Sequence, residues 1–226
     1  MTLSNQPAVW DSFIRGYHWL QAFTVGGLWY TGTEGLMDWH FSLAYLLLAL
    51  LATRLIWGII GSETAQFHRF VRSPRAVIQY LATSTRGNKQ TNPPSAGHNP
   101  AGAYMVVAFM LLLIAQLATG LFANDDIISE GPFAYLISGE TSSFLTEIHA
   151  VNFNLILGAI CVHLAAIMLY FLRKDNLVTP MLTGRKAIGT NSAPKMTNGL
   201  FAWGIFLIIG TVVYFTLGQE VVAYLL

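Results

Sequence analysis

Charged side chains are scarce in this sequence. Only 10% of its 226 residues are Asp, Glu, Lys or Arg, against about 25% in a typical soluble domain. Together with 54% hydrophobic residues, that shortage excludes a soluble globular domain, and no nucleic-acid partner is expected. Cysteine is nearly absent. Cys161 stands alone, so no intramolecular disulfide can form, and with no CxxCH no covalently attached c-type haem is expected. Cys161 reads as a small buried hydrophobe. No cleavable signal is expected, because the first apolar run holds Arg15 and His18 and has no small-residue cleavage site after it. It reads as a retained first helix.

What is present is long apolar runs. A bilayer core takes roughly 20 apolar residues per helix. Five runs approach that length, about Phe13–Tyr30, His40–Ile60, Ala101–Phe122, Ile148–Leu172 and Gly199–Leu217. The predicted fold is all-α: a four-helix transmembrane bundle over residues 1–187 and a fifth transmembrane helix within 188–226. No internal repeat of fixed period is evident.

Base is missing from one side. All twelve Lys and Arg fall near the start of the first run, in the end of the second or the loop after it, or in or beside the loop after the fourth. The opposite side carries Glu34, Asp38, Asp125, Asp126, Glu130, Glu140, Glu147 and Glu220. By the positive-inside rule the N-terminus is cytoplasmic and the C-terminus outside, as five spans require. The inner loop 61–100 contains "FHRFVRSPRAVIQYLA", in which Ser73–Pro74 reads as the start of a short basic helix lying on the membrane face. The polar stretch after it reads as a linker. The acidic outer loop 123–146 is too long for a simple turn.

Histidine gives the chemistry. "EIHAVNFNLILGAICVHLAA" is apolar enough to cross a bilayer yet carries His149 and His163, fourteen residues apart. At about 100° per residue that is within about 40° of four whole turns, and the rise is about 21 Å. Both imidazoles share a face, and no single metal ion reaches both. Two sites stacked across the membrane do, provided each has a second ligand at its own depth. His40, at the outer start of the second run, matches His149. His18, near the inner end of the first, matches His163. Bis-histidine ligation of two haems inside a helical bundle meets these demands.

Arg54 lies fourteen residues after His40, at the inner site's depth, where a guanidinium pairs with a haem propionate. The alternative is that it snorkels to the cytoplasmic interface. His98, in "GHNP", sits too near the surface for axial ligation and is placed to cap or touch the inner propionates. His68 reads as solvated. The rival accounts of the four histidines are weaker. A zinc site wants further Cys, Asp or Glu ligands at those depths, a proton relay wants buried carboxylates, and interhelical hydrogen bonding does not explain two depth-matched pairs.

Several stretches carry a resemblance. "VWDSFIRGYHWLQA", "HFSLAYLLLALLATRLIWGIIGSETAQFHRFVRSP", "GHNPAGAYM", "GLFANDDIISEGP", "EIHAVNFNLILGAICVHLAAIMLY" and "NLVTPMLTGRK" resemble the bacterial cytochrome b-561 family, which overlaps with the b-type cytochrome subunits of nickel–iron hydrogenases. The resemblance covers roughly residues 9 to 187. It implies a four-helix core in the bacterial inner membrane, two non-covalent b-type haems with His18, His40, His149 and His163 as axial ligands, and electron transfer between quinone and a redox partner. The acidic outer loops favour a basic partner, such as a periplasmic c-type cytochrome. The alternatives are a membrane-anchoring subunit of a hydrogenase-like enzyme, or a superoxide:quinone oxidoreductase. The acidic surface would repel the superoxide anion.

Overall fold

A computed structural model describes residues 6–85, 97–125, 129–188, 193–223 and 225. The polar linker with Arg86 and Lys89, the acidic Asp126, and the side chain of Glu220 fall outside the described residues. The described residues form helices α1 (Ser12–Thr33), α2 (Met37–Ile60), α3 (Phe67–Phe70), α4 (Pro74–Thr85), α5 (Pro100–Gly120), α6 (Gly139–Leu172), α7 (Val178–Thr183), α8 (Leu200–Val213) and α9 (Gln219–Ala223). A short 3-10 turn (Ala134–Leu136) precedes α6, and a π-helical stretch (Tyr214–Gly218) joins α8 to α9.

Among the described residues four helical stretches are long and apolar enough to cross a membrane: Met37–Ile60, Pro100–Gly120, Gly139–Leu172 and Leu200–Gly218. These correspond to four of the five predicted runs. The first run is helical too, and its 22 residues are long enough. It is less apolar because Arg15, His18 and Gln21 interrupt it.

Local chemistry explains the ends. Helix α4 begins at Pro74, as expected of a residue whose missing N–H costs nothing in a first turn. Helix α6 starts nine residues before its predicted apolar run, inside what reads as an outer loop. Ser138 initiates it, its Oγ accepting from Thr141 N at 3.2 Å. A hydroxyl cap of this kind outweighs the polarity of the first turns. The predicted inner loop 173–198 contains α7, capped by Asn176 Oδ1 on Val178 N and Thr179 N. Gly184 closes α7 with φ of 79°, a conformation that only glycine adopts without strain.

The chain forms two compact units. The first comprises Met1–His18, Thr53–Val107 and Leu164–Ile205, and the second Trp19–Ala52, Ala108–His163 and Phe206–Leu226. The core of the first is built on Val9, Phe13, Trp57 and Ala65, and that of the second on Leu47, Leu50, Leu113 and Ile156. In the first, Asp11 is a buried hub. Its Oδ1 accepts from Ile14 N (2.8 Å) and caps α1, while Oδ2 accepts from Trp57 Nε1 (3.0 Å) and Ser62 Oγ (2.6 Å). Gly184 O accepts from Val9 N at 2.7 Å, and Arg15 Nη1 donates to Leu182 O at 2.7 Å. The "PMLTGRK" segment thereby clasps the start of the chain.

Helix α6 presents Val151, Leu155, Val162, Met168 and Phe171 to the outside. Cys161, expected to be buried, is exposed among them. A helix that is apolar all round offers a thiol the same surroundings outside as inside when lipid is the solvent.

Candidate haem site

In the second unit a tight turn through Gly35 joins α1 to α2 and folds His40 back onto α1. The His40 Nδ1 lies 3.0 Å from Leu28 O and 3.3 Å from Thr31 Oγ1. A backbone carbonyl only accepts, so Nδ1 carries the proton. The Thr31 hydroxyl hydrogen goes to Gly27 O at 2.8 Å, which leaves its oxygen free to accept as well. Nε2 is therefore the basic nitrogen of the ring, available to a metal.

His149 on α6 repeats this arrangement against α5. Its Nδ1 lies 3.0 Å from Gln116 O and 3.2 Å from Thr119 Oγ1, whose own hydrogen goes to Ala115 O at 2.8 Å. Each ring also leans on a glycine. A Cβ at Gly32 would stand 3.2 Å from His40 Cε1, and one at Gly120 would stand 2.9 Å from His149 Cε1. Glycine is what lets each helix approach its imidazole.

The two rings face each other, with centroids 6.5 Å apart and planes inclined at 65°. Both line a cavity of about 380 Å³. Its walls are apolar, with Leu28, Phe41, Leu113, Leu117, Phe153 and Ile156 among them. Polar groups, Asn124, Asp125, Ser129 and Thr146, also line it.

The donor set fits a haem. Metal–imidazole bonds of about 2 Å, with ring centres about 1 Å behind the donor nitrogens, put the centroids of two axial histidines about 6 Å apart. Both tautomers are fixed with Nε2 free, and the space between is apolar. Among the described residues no group of three or more His, Cys, Asp or Glu is placed to hold a metal ion, so this pair would rely on a macrocycle for its remaining ligands.

The first unit gathers His18, Arg54 and His98. Arg54 does not snorkel. It is 3% exposed, its guanidinium carbon stands 4.7 Å over the Phe67 ring, and its Nη1 is buried with no hydrogen-bond partner. His98 packs between Trp10 and Phe70, each ring centroid 4.7 Å away, and its Nδ1 is likewise buried and unbonded. Burial, then the charges of Arg54 and His18, push the His98 imidazole down to about 3. Asn99, next to it, caps α5, its Oδ1 accepting from Gly102 N at 2.7 Å. A guanidinium with a buried, unbonded Nη1 and an imidazole with an unbonded nitrogen are suited to an anionic group such as a propionate. His163 belongs to the second unit, where its ring meets the edge of Phe109 at 5.9 Å. The structure therefore brings His40 and His149 together in one unit, and Arg54, His98 and His18 in the other. His68 is exposed, as expected.

The prokaryotic cytochrome b561 family matches residues 9–184. The chain belongs to the prokaryotic cytochrome b561 family. It matches no curated protein and no solved structure. This cytochrome is an integral membrane protein, and its family is one of b-type cytochromes that carry electrons. The match ends at the clasp, so α8 is an addition to the part of the chain that the family covers. Sequence reasoning missed the two threonine–glycine cradles. Their signal is the recurrence of Thr-Gly, in "LWYTG" and "QLATG", at the C-terminal ends of α1 and α5.

Proposed function

We propose that this cytochrome passes electrons between the quinone pool of the bacterial inner membrane and a periplasmic partner, through two b-type haems. His40 and His149 would hold the outer haem, and His18 and His163 the inner one. The observation that carries the proposal is the facing pair of imidazoles, 6.5 Å apart, each with Nδ1 tied to a backbone carbonyl. A bound b-type haem supplies a one-electron iron couple whose potential depends on its axial ligands and their hydrogen bonds. The chain's own work is to hold, orient and insulate. Leu28 O and Gln116 O fix the tautomers, and Gly32 and Gly120 admit the rings. Arg54 and His98 would receive propionates at the inner centre.

The distribution of Lys and Arg supports a cytoplasmic N-terminus and a periplasmic C-terminus, with α1 as a fifth span. Its less apolar composition suits a helix whose polar groups face a bundle interior. The outer loops, with carboxylates and no base, favour a basic partner such as a periplasmic c-type cytochrome.

The test is a haem count and a reduced-minus-oxidised spectrum on purified protein. Two non-covalent b-type haems per chain are expected, with one lost in His40→Ala and the same one lost in His149→Ala. One haem in the unaltered protein means a pair is wrongly assigned. None overturns the proposal.

A further inference from the structure

The two outer cradles match at the histidine but differ behind it. On the α1 side the carbonyl that accepts from His40 belongs to Leu28, whose side chain is apolar. On the α5 side the carbonyl belongs to Gln116, whose side chain enters a second, buried hydrogen-bond system. Asn152 Nδ2 donates to Gln116 Oε1 at 2.6 Å and to Leu112 O at 2.9 Å. Asn152 is 6% exposed and Gln116 9%.

Asn152 lies three residues after His149 on α6, so the two side chains share a face. Together they tie α6 to α5 at adjacent points, His149 to the Gln116 carbonyl and Asn152 to the Gln116 carboxamide. Asn152 thus adds a buried tie to Gln116 beside the contacts that His149 makes with Gln116 O and Thr119 Oγ1. A well-held Nδ1–H···O=C bond gives an imidazole more anionic character and makes it a stronger donor through Nε2. A stronger donor favours ferric over ferrous iron, so it lowers the reduction potential.

We infer that Asn152, acting through Gln116, is a positioning residue for His149: by holding Gln116 in place it keeps the His149 Nδ1–H···O=C bond made and sets the outer haem at a lower potential than it would have without Asn152. The inference rests on His149 being an axial ligand, as proposed above. It assigns two buried amides a task beyond tying α6 to α5.

The experiment is a redox titration of purified holoprotein, with low-temperature EPR of the ferric low-spin signals, on the unaltered chain and on Asn152→Leu and Asn152→Gln. The outer centre is identified as the one missing from His40→Ala. In Asn152→Leu the haem count should stay at the unaltered value. The outer midpoint should rise by a tenfold change in the reduction equilibrium, which is about 59 mV for one electron. The outer EPR signal should shift, and the inner centre should change in neither. Asn152→Gln keeps a carboxamide and should fall between the two.

A retained outer haem with unchanged midpoint and unchanged EPR overturns the inference. If Asn152→Leu sheds haem, Gln116→Met decides instead, since it removes only the side-chain acceptor and keeps the carbonyl that His149 uses. A rise in the outer midpoint there supports the inference, and no rise overturns it. If His149→Ala loses no haem, the ligand assignment itself has failed, and that outcome is separate from every other.

Discussion

Gly32 and Gly120 stand at equivalent places in the second unit, each in the last turns of a helix and each against the imidazole of a histidine on the next. A side chain at either would meet a ring carbon at 3.2 Å or 2.9 Å respectively. The nearer approach makes Gly120 the more restrictive of the two.

Gly120→Ala should therefore displace His149, because a methyl at 2.9 Å is closer than carbon contacts allow. Overpacking of this kind costs about 1–3 kcal/mol. The expected result is loss of most of the outer haem, read as haem per chain, with a milder loss in Gly32→Ala. Full haem content and an unshifted outer midpoint in both variants would show that the close approach is not needed.

Arg54→Met should act on the inner centre alone. Methionine fills much of the buried volume over Phe67 but removes the charge. Taking a cation from beside a haem favours the ferric state, so the inner midpoint should fall, by about 60 mV if the charge is worth a factor of ten. A redox titration that moves the outer centre instead would place Arg54 elsewhere in the electron path.

His98 gives a pH dependence whose sign can be worked out. Its imidazole is held neutral in the fold, down to about 3, while the unfolded chain takes up the proton near 6.5. The stability it contributes is fully present above 6.5 and is lost as pH falls from there toward 3, by at most about 1.4 kcal/mol per pH unit. Thermal unfolding of the haem-free protein in detergent between pH 7 and 4 should fall more steeply for the unaltered sequence than for His98→Gln. Parallel curves would mean His98 stays solvated.

The proposed docking of a basic partner is best tested away from the hydrogen bonds of Asn124, Asp125 and Glu130. Asp125 Oδ1 accepts from Ser129 N at 2.9 Å, and Glu130 Oε1 from Asn124 Nδ2 at 3.3 Å, so charge reversal there also disturbs the loop. Glu34, Asp38 and Glu140 are exposed and carry charge without that role. Glu34→Lys with Asp38→Lys should slow electron exchange with a basic c-type cytochrome several-fold at low salt, and the difference should shrink as salt screens it. Equal rates at low salt would remove the electrostatic argument for that partner.

The apolar runs and the histidine spacing were legible because a bilayer and a helix each impose a strict period on side chains. His40 and His149 could be paired from depth alone. What stayed hidden was decided by contacts distant in sequence. The Thr31 and Thr119 hydroxyls look like ordinary helix residues until the histidine they receive is known. Asn152 looks like one polar residue in an apolar run until Gln116, 36 residues away, is placed beside it. Ser138 could have been read as a cap, but acidic and polar neighbours masked the start of α6. The burial of Arg54 was undecidable from spacing, since a guanidinium at that depth can bend to either side.

The clasp at Gly184 bears on the order in which the protein is made. Val9 is fully enclosed, yet its amide waits for Gly184 O. Ser62, which serves Asp11, also accepts from Thr197 N at 3.0 Å. The first residues of the unit are thus completed by nearly the last, and a ribosome must release most of the chain before that half can shut. A chain cut short of residue 182 would leave Val9 N and Arg15 Nη1 without the carbonyls to which they donate.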